Sequence, residues 1–211
     1  LDFIQTLANS LLITVSSVII IVIFSAMAAY ALERIKSKFS TVTFMVFVAA
    51  MLVPFQSVMI PLVALFGKAQ MLNQIGIIFM YLGFGGSMSI FLYHGAMKSI
   101  PRALDEAAII DGASRWQVFW KVIFPMLKPT TVTVAVLNTM WIWNDYLLPS
   151  LVINSPTTQT IPLKMFFFFG QYTKQWHLAL AGLVIAILPV IIFYFFMQKQ
   201  IIKGVADGAV K

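Results

Sequence analysis

Few residues in this chain could do chemistry, and most of them fall in one place. Asp105, Glu106 and Asp111 lie within a charged island at 101–129, PRALDEAAIIDGASRWQVFWKVIFPMLKP, and Asp145 stands alone at the edge of an apolar segment. The histidines are His94 and His177, and there is no cysteine, so disulfides and thiolate metal sites are excluded. A hydrolase or intramembrane enzyme needs paired acids, a base beside a nucleophile, or a metal-ligand cluster, and the spacing offers none of these within the apolar segments. There is no Walker pattern for nucleotide phosphates. A lone histidine at the end of an apolar segment is far more often a boundary residue than a catalyst. What remains is docking by the island, and a pathway or charge-pairing role for Asp145, since acids within membrane segments are costly and usually functional.

The elements that must position these groups are hydrophobic. In 211 residues, 61% are hydrophobic and 10% charged, with a mean hydropathy of +0.94, far more apolar than a soluble domain. Uncharged runs at 10–31, 41–62, 75–93, 129–149 and 178–198 each match the roughly 20 residues a helix needs to cross the hydrocarbon core. They lack the alternation of a barrel strand, so an all-α integral membrane fold with five transmembrane helices is expected. Alternating the loops puts Arg34, Lys36, Lys38, Lys98, Arg102, Arg115, Lys121, Lys128, Lys199, Lys203 and Lys211 on one side. Only Lys68, Lys164 and Lys174 fall on the other. By the positive-inside rule the first side, with the island and the C-terminus, is cytoplasmic. The same rule explains the net charge of +7 without nucleic acid. It also sets Leu1 outside, so a further N-terminal helix, making six, is expected to precede this sequence.

Local chemistry predicts helix, turn, helix for the island. Pro101 suits a first helical turn, and Asp105 and Glu106 complement its positive end. Gly112 can take the left-handed conformation that ends a helix, and Ser114 with Gln117 forms a capping box that starts the next. Ala108 and Gly112, four apart, give the first helix a small-residue strip open to close approach. Trp116, Val118, Phe119 and Trp120 form the apolar body of the second, which Pro125 is expected to stop before Pro129 opens the next span. Residue physics alone allows an equal alternative, an amphipathic helix lying on the headgroups with its tryptophans at the boundary. Within the spans, Pro54 and Pro61 each remove a helical hydrogen bond, and Gly83, Gly85 and Gly86 allow kinks, close packing or local unwinding.

The order Glu106-Ala107-Ala108, Gly112 and Phe124-Pro125 resembles the EAA signature of ABC importer transmembrane permeases. The resemblance to the carbohydrate-uptake, maltose-transporter type runs along nearly the whole chain. It includes Asn9-Ser10, Ala28-Ala29-Tyr30-Ala31, Ile60-Pro61-Leu62, Asp111-Gly112-Ala113, Trp143-Asn144-Asp145 and the ending GVADGAVK from Gly204. Phe124 departs from the usual leucine but remains apolar. The resemblance implies the type I importer permease fold as a single transmembrane domain over 1–211, with a coupling loop at 94–128, an outer loop at 150–177 and a cytoplasmic tail at 199–211. It implies a multi-pass subunit of a prokaryotic inner or plasma membrane. The expected partners are a homologous permease in a heterodimer, an ATPase dimer that binds the ATP and magnesium, and an extracytoplasmic solute-binding protein. The chain itself would carry no cofactor, no metal and no catalytic residue.

Residue by residue, the resemblance assigns ATPase coupling to Glu106, Ala107, Ala108, Asp111, Gly112, Ala113 and Pro125. ATPase closure would rock the spans from inward-open to outward-open through this loop. The tail residues Gly204, Gly208 and Ala209 would reach the ATPase as an extended segment; residue physics alone reads a frayed terminus there. Gly170, Gln171 and Tyr172 in the outer loop would meet the binding protein, the alternative being a re-entrant or surface-lying helix. Trp143, Asn144 and Asp145, near Trp141 and Tyr146, offer the aromatic faces and hydrogen bonds that a sugar uses, and the tryptophans equally suit an interfacial belt. The substrate implied is a sugar or oligosaccharide. A non-sugar solute such as glycerol phosphate, a secondary transporter and a non-transporting membrane subunit are the alternatives.

Overall fold

The computed structural model describes residues 3–166 and 176–209, and every regular element among them is helical. Helix α1, Phe3–Arg34, is followed by α2, Lys38–Ala50, α3, Phe55–Lys68, and α4, Gln74–Met97. The island holds α5, Ala103–Ile110, and α6, Arg115–Val118, which runs through a π turn, Phe119–Ile123, into α7, Phe124–Met126. Then come α8, Lys128–Asn144, α9, Leu147–Val152, a 3₁₀ turn at Pro156–Thr158, α10, Ile161–Met165, and α11, Trp176–Ala209. Among the described residues α1, α4 and the 176–198 part of α11 are each long and apolar enough to cross a membrane, and two bent helix pairs raise the number of candidate spans to five.

The core forms where α1, α4 and α8 meet. Helix α1 buries a stripe of small and slim residues, Ser10, Thr14, Ser17, Ile21, Ser25 and Ala29, at helical spacing. Such stripes let membrane helices approach closely, because lipid provides no hydrophobic drive between them and packing must do the work. Gly85 marks a point of close approach: a Cβ there would lie 2.3 Å from the Asn138 side-chain oxygen and 2.8 Å from Ile21 Cδ1. Asn138 is buried, and its amide donates to Ser89 Oγ at 3.1 Å and to the Val134 carbonyl at 2.8 Å. Helix α4 stays continuous through its glycines, so Gly85 serves close packing and does not unwind the helix.

Three breaks depart from the sequence expectations, and each has a backbone cause. The run at 41–62 is two helices bent by 106°. Pro54 drives the chain out of helix before α3, and the end of α2 closes with short bonds such as Val53 N to the Ala50 carbonyl. Pro61, by contrast, is accommodated inside α3. The run at 129–149 is interrupted at Asp145, which is extended at ψ 124°. Pro149 lies four residues on, so its ring would strike the Asp145 carbonyl in a continuous helix. The third break concerns Pro125, which does not stop the second island helix. A π turn widens the backbone ahead of it, with Phe124 N–H bonded to the Phe119 carbonyl, and the 76° bend comes at Leu127. At the C-terminus the backbone through Gly204, Gly208 and Ala209 is helical, the continuation of α11, where an extended segment was expected. Local hydrogen bonding outweighs the roughly 1 kcal/mol that each glycine costs a helix.

Candidate functional site

The island folds as its local chemistry dictates. Gly112 sits at φ +87°, the left-handed conformation open to glycine, and ends α5. Ser114 and Gln117 close a reciprocal capping box: the Gln117 N–H donates to Ser114 Oγ at 3.3 Å, and the Ser114 N–H donates to Gln117 Oε1 at 2.8 Å. The resulting helix–turn–helix has two faces. Glu106, Ala107, Asp111 and Gly112 are exposed, beside Ile109 and Ile110, the latter 84% exposed; Ala108 and Ala113 are half-buried. Pro125 is exposed near the far end of α6–α7. The opposite face enters the core through Val118, Phe119, Ile123 and Leu127. Phe119 stacks obliquely on Tyr30 of α1 at 5.5 Å, and Trp120 packs edge-on against both Phe119 and Phe124. Trp116 alone of this aromatic group remains largely exposed. The second island helix is thus seated on protein, unlike a helix lying free on headgroups.

A set of polar residues that sequence reasoning missed holds the island to α1. Asp105, placed at the helix start as a partner of the dipole, is buried. It pairs with Arg34 at 2.9 Å and accepts from the Tyr30 hydroxyl at 2.8 Å. Arg34 also donates to the Ile100 carbonyl at 3.2 Å. Arg102 returns the contact, donating to the carbonyls of Glu33 and Arg34 at the end of α1. Glu33 in turn lies 3.3 Å from His94 Nε2. The signal was present in the spacing: Tyr30 and Arg34 are four apart on one face of α1, and Arg102, at the cap of α5, is three residues before Asp105, in a chain with few charges.

The second candidate site lies at the other end of the bundle. Asp145 accepts from the buried Tyr81 hydroxyl at 2.9 Å and from the Leu147 N–H at 3.0 Å, so its carboxylate bridges α4 and the start of α9. Asn144 is exposed, its amide donating back to the Met140 carbonyl at 2.7 Å. Trp143 points away from Asp145 into a separate apolar cluster, buried against α11 with its indole N–H on the Ala186 carbonyl at 3.2 Å. The segment after α9 is anchored rather than loose. Asn9 donates to the carbonyls of Thr157 and Gln159, and Ser10 Oγ accepts from the Ile161 N–H at 2.8 Å. Gly170, Gln171 and Tyr172 lie outside the described residues. Among the described residues no group of three or more acids or histidines is arranged to hold a metal ion.

Among the described residues the chain is an all-helical bundle of the multi-pass membrane class, with a capped helix–turn–helix displayed at one end. Residues 19–207 match the family of the binding-protein-dependent transport system inner membrane component, and the chain belongs to that family. It is 59% identical to the probable starch degradation products transport system permease protein AmyC of Thermoanaerobacterium thermosulfurigenes, over 100% of this chain and 77% of that protein. It is 39% identical to the multiple sugar-binding transport system permease protein MsmG of Streptococcus mutans, over 96% of this chain and 75% of that one. Among solved structures it resembles a chain of a bacterial ABC transporter involved in import of the acidic polysaccharide alginate. The TM-score is 0.77 at 28% identity, covering 93% of this chain and 74% of that one.

Proposed function

We propose that this chain is one permease subunit of an ATP-driven importer that carries a sugar or oligosaccharide delivered by an extracytoplasmic binding protein. The observation that carries the reading is the exposed face of α5 and its turn. Glu106, Ala107, Asp111 and Gly112 offer an acid, small residues and a sharp corner beside apolar Ile109 and Ile110, a surface fitted to a protein cleft. In this reading an ATPase dimer grips that face from the cytoplasm, with Ala108, Ala113 and Pro125 supporting its shape. A homologous permease completes the translocation path. ATP and magnesium belong to the ATPase, and this chain contributes no catalytic group. The coupling loop at 94–128 and the tail at 199–211, with Gly204, Gly208 and Ala209, lie on the ATPase side; the segment at 150–177, with Gly170, Gln171 and Tyr172, meets the binding protein. Asn144 and Asp145 line the path, while Trp143 fixes α11 to α8 beside it. The sugar class rests on the names of the relatives, which include a melibiose/raffinose/stachyose import permease protein of Bacillus subtilis at 35% identity.

The test is to purify the complete complex and measure vanadate-sensitive ATP hydrolysis in proteoliposomes with the binding protein and a panel of malto-oligosaccharides, galactosides and glycerol phosphate. Stimulation by one of the sugars supports the reading and names the substrate. Stimulation by glycerol phosphate alone, or absence of any co-purifying ATPase, overturns it.

A further inference from the structure

Helix α5 buries a single residue, and that residue is Asp105. The helix presents most of its surface outward; it rests on α6 and the π turn, with Ala108 against the core, and Asp105 supplies its buried polar link to another part of the bundle. It goes to α1: Arg34 closes the ion pair at 2.9 Å with both side chains nearly buried, and Tyr30 adds a hydrogen bond to the same carboxylate. Arg102 makes the reverse contact, covering the last carbonyls of α1, where cations are favoured by the helix dipole. The covalent route from α4 is not a continuous helix, although Met97 and Ile100 are buried in the core. After Met97 the backbone turns through short bonds, Ser99 N to the Ala96 carbonyl and Ile100 N to the Met97 carbonyl, and Pro101 interrupts helical continuity.

We propose that Arg34, Asp105 and Arg102 form a reciprocal clamp that makes the end of α1 and the docking helix α5 one rigid body, so that α1 is the membrane element that moves with the docked ATPase. This rests on the importer reading above. Residues in such a clamp are positioning residues: they touch neither solute nor nucleotide, and they act by passing a displacement of α5 to the α1–α4–α8 core. Paired charges in a low-dielectric setting are suited to this, because breaking one partner leaves the other buried and uncompensated. Tyr30 extends the clamp to the second island helix, since its ring packs on Phe119 while its hydroxyl holds Asp105.

This chain has no cysteine, so labels can be placed in it without background from its own thiols, the other subunits of the complex being made cysteine-free. Spin labels at Ile35→Cys and Ala103→Cys report the separation of α1 and α5 in nucleotide-free and vanadate-trapped states. The clamp predicts one unchanged distance in both states, and a broadened or shifted one once Asp105→Asn is added. In parallel, Asp105→Asn is expected to lower sugar uptake per ATP hydrolysed by about tenfold, within the usual range of coupling energies. Asp105→Glu, which keeps the charge, should restore much of it. A distance that changes between states without Asp105→Asn overturns the clamp, even if the Asp105 variant fails to assemble. So does wild-type coupling in Asp105→Asn. Glu106→Lys separates the two readings: uncoupling there with normal coupling in Asp105→Asn rejects the clamp alone, whereas no effect of Glu106→Lys rejects the importer docking on which it rests.

Discussion

Two aspartates, one at each end of the α1–α4–α8 bundle, are held in nearly the same way and then diverge. Asp105 accepts a tyrosine hydroxyl from Tyr30 at 2.8 Å, and Asp145 accepts one from Tyr81 at 2.9 Å. Asp105 also has Arg34 at 2.9 Å, whereas no ion pair among the described residues includes Asp145. The first carboxylate is neutralised and locked between two helices. The second sits at a helix break with only hydrogen bonds to balance it, from Tyr81 and from the Leu147 backbone. Breaking either arrangement leaves a polar group unsatisfied, and the cost is larger where a full buried charge loses its counter-ion. One end of the bundle is a joint closed by an ion pair and a hydrogen bond, and the other is held by hydrogen bonds alone.

That contrast can be broken by substitution, and the largest effect is expected at the joint. Asp105→Ala leaves Arg34 buried without its partner and should cost about 3–5 kcal/mol, read as a lower melting temperature of the purified complex in detergent. Asp145→Ala should cost less, about 1–3 kcal/mol, because the Tyr81 hydroxyl is the main group left unsatisfied. Equal losses at the two positions would remove the distinction. The tyrosines sharpen it further. Tyr81→Phe should destabilise by about 1.5–3 kcal/mol, as expected for a hydrogen bond to a charged group, and Tyr30→Phe by less because Arg34 still holds Asp105. Gly112→Ala is expected to cost about 1–2 kcal/mol through its left-handed backbone; its larger effect should be on uptake, since the turn shapes the face proposed to dock the ATPase without contributing to the core.

The turn and caps of the island could be read from sequence because they are decided within a few residues: Gly112 by its backbone freedom, Ser114 and Gln117 by their reach to each other. The island's attachment could not, since Arg34 and Asp105 are 71 residues apart and only the packing of α1 beside α5 brings them together. The interruption at Asp145 was legible in principle. Pro149 excludes helical continuity four residues earlier, yet the hydropathy of the whole run concealed it. The bend at Pro54 was hidden in the same way, because an apolar run shows what lipid or protein will cover it but does not reveal whether it is one helix or two. Trp143 was read from its neighbours Asn144 and Asp145 either as a pathway residue or as part of an interfacial belt, and sequence could not give its direction. The helical rotation between adjacent positions turns it towards α11.

The most direct test of the central claim compares wild type with Glu106→Lys in proteoliposomes containing the complete complex, measuring sugar uptake and ATP hydrolysis together. Loss of uptake by more than about tenfold, with the variant still inserted in the membrane, is the result predicted for a docking face that transmits ATPase closure. Uptake and sugar-stimulated hydrolysis equal to wild type would contradict it.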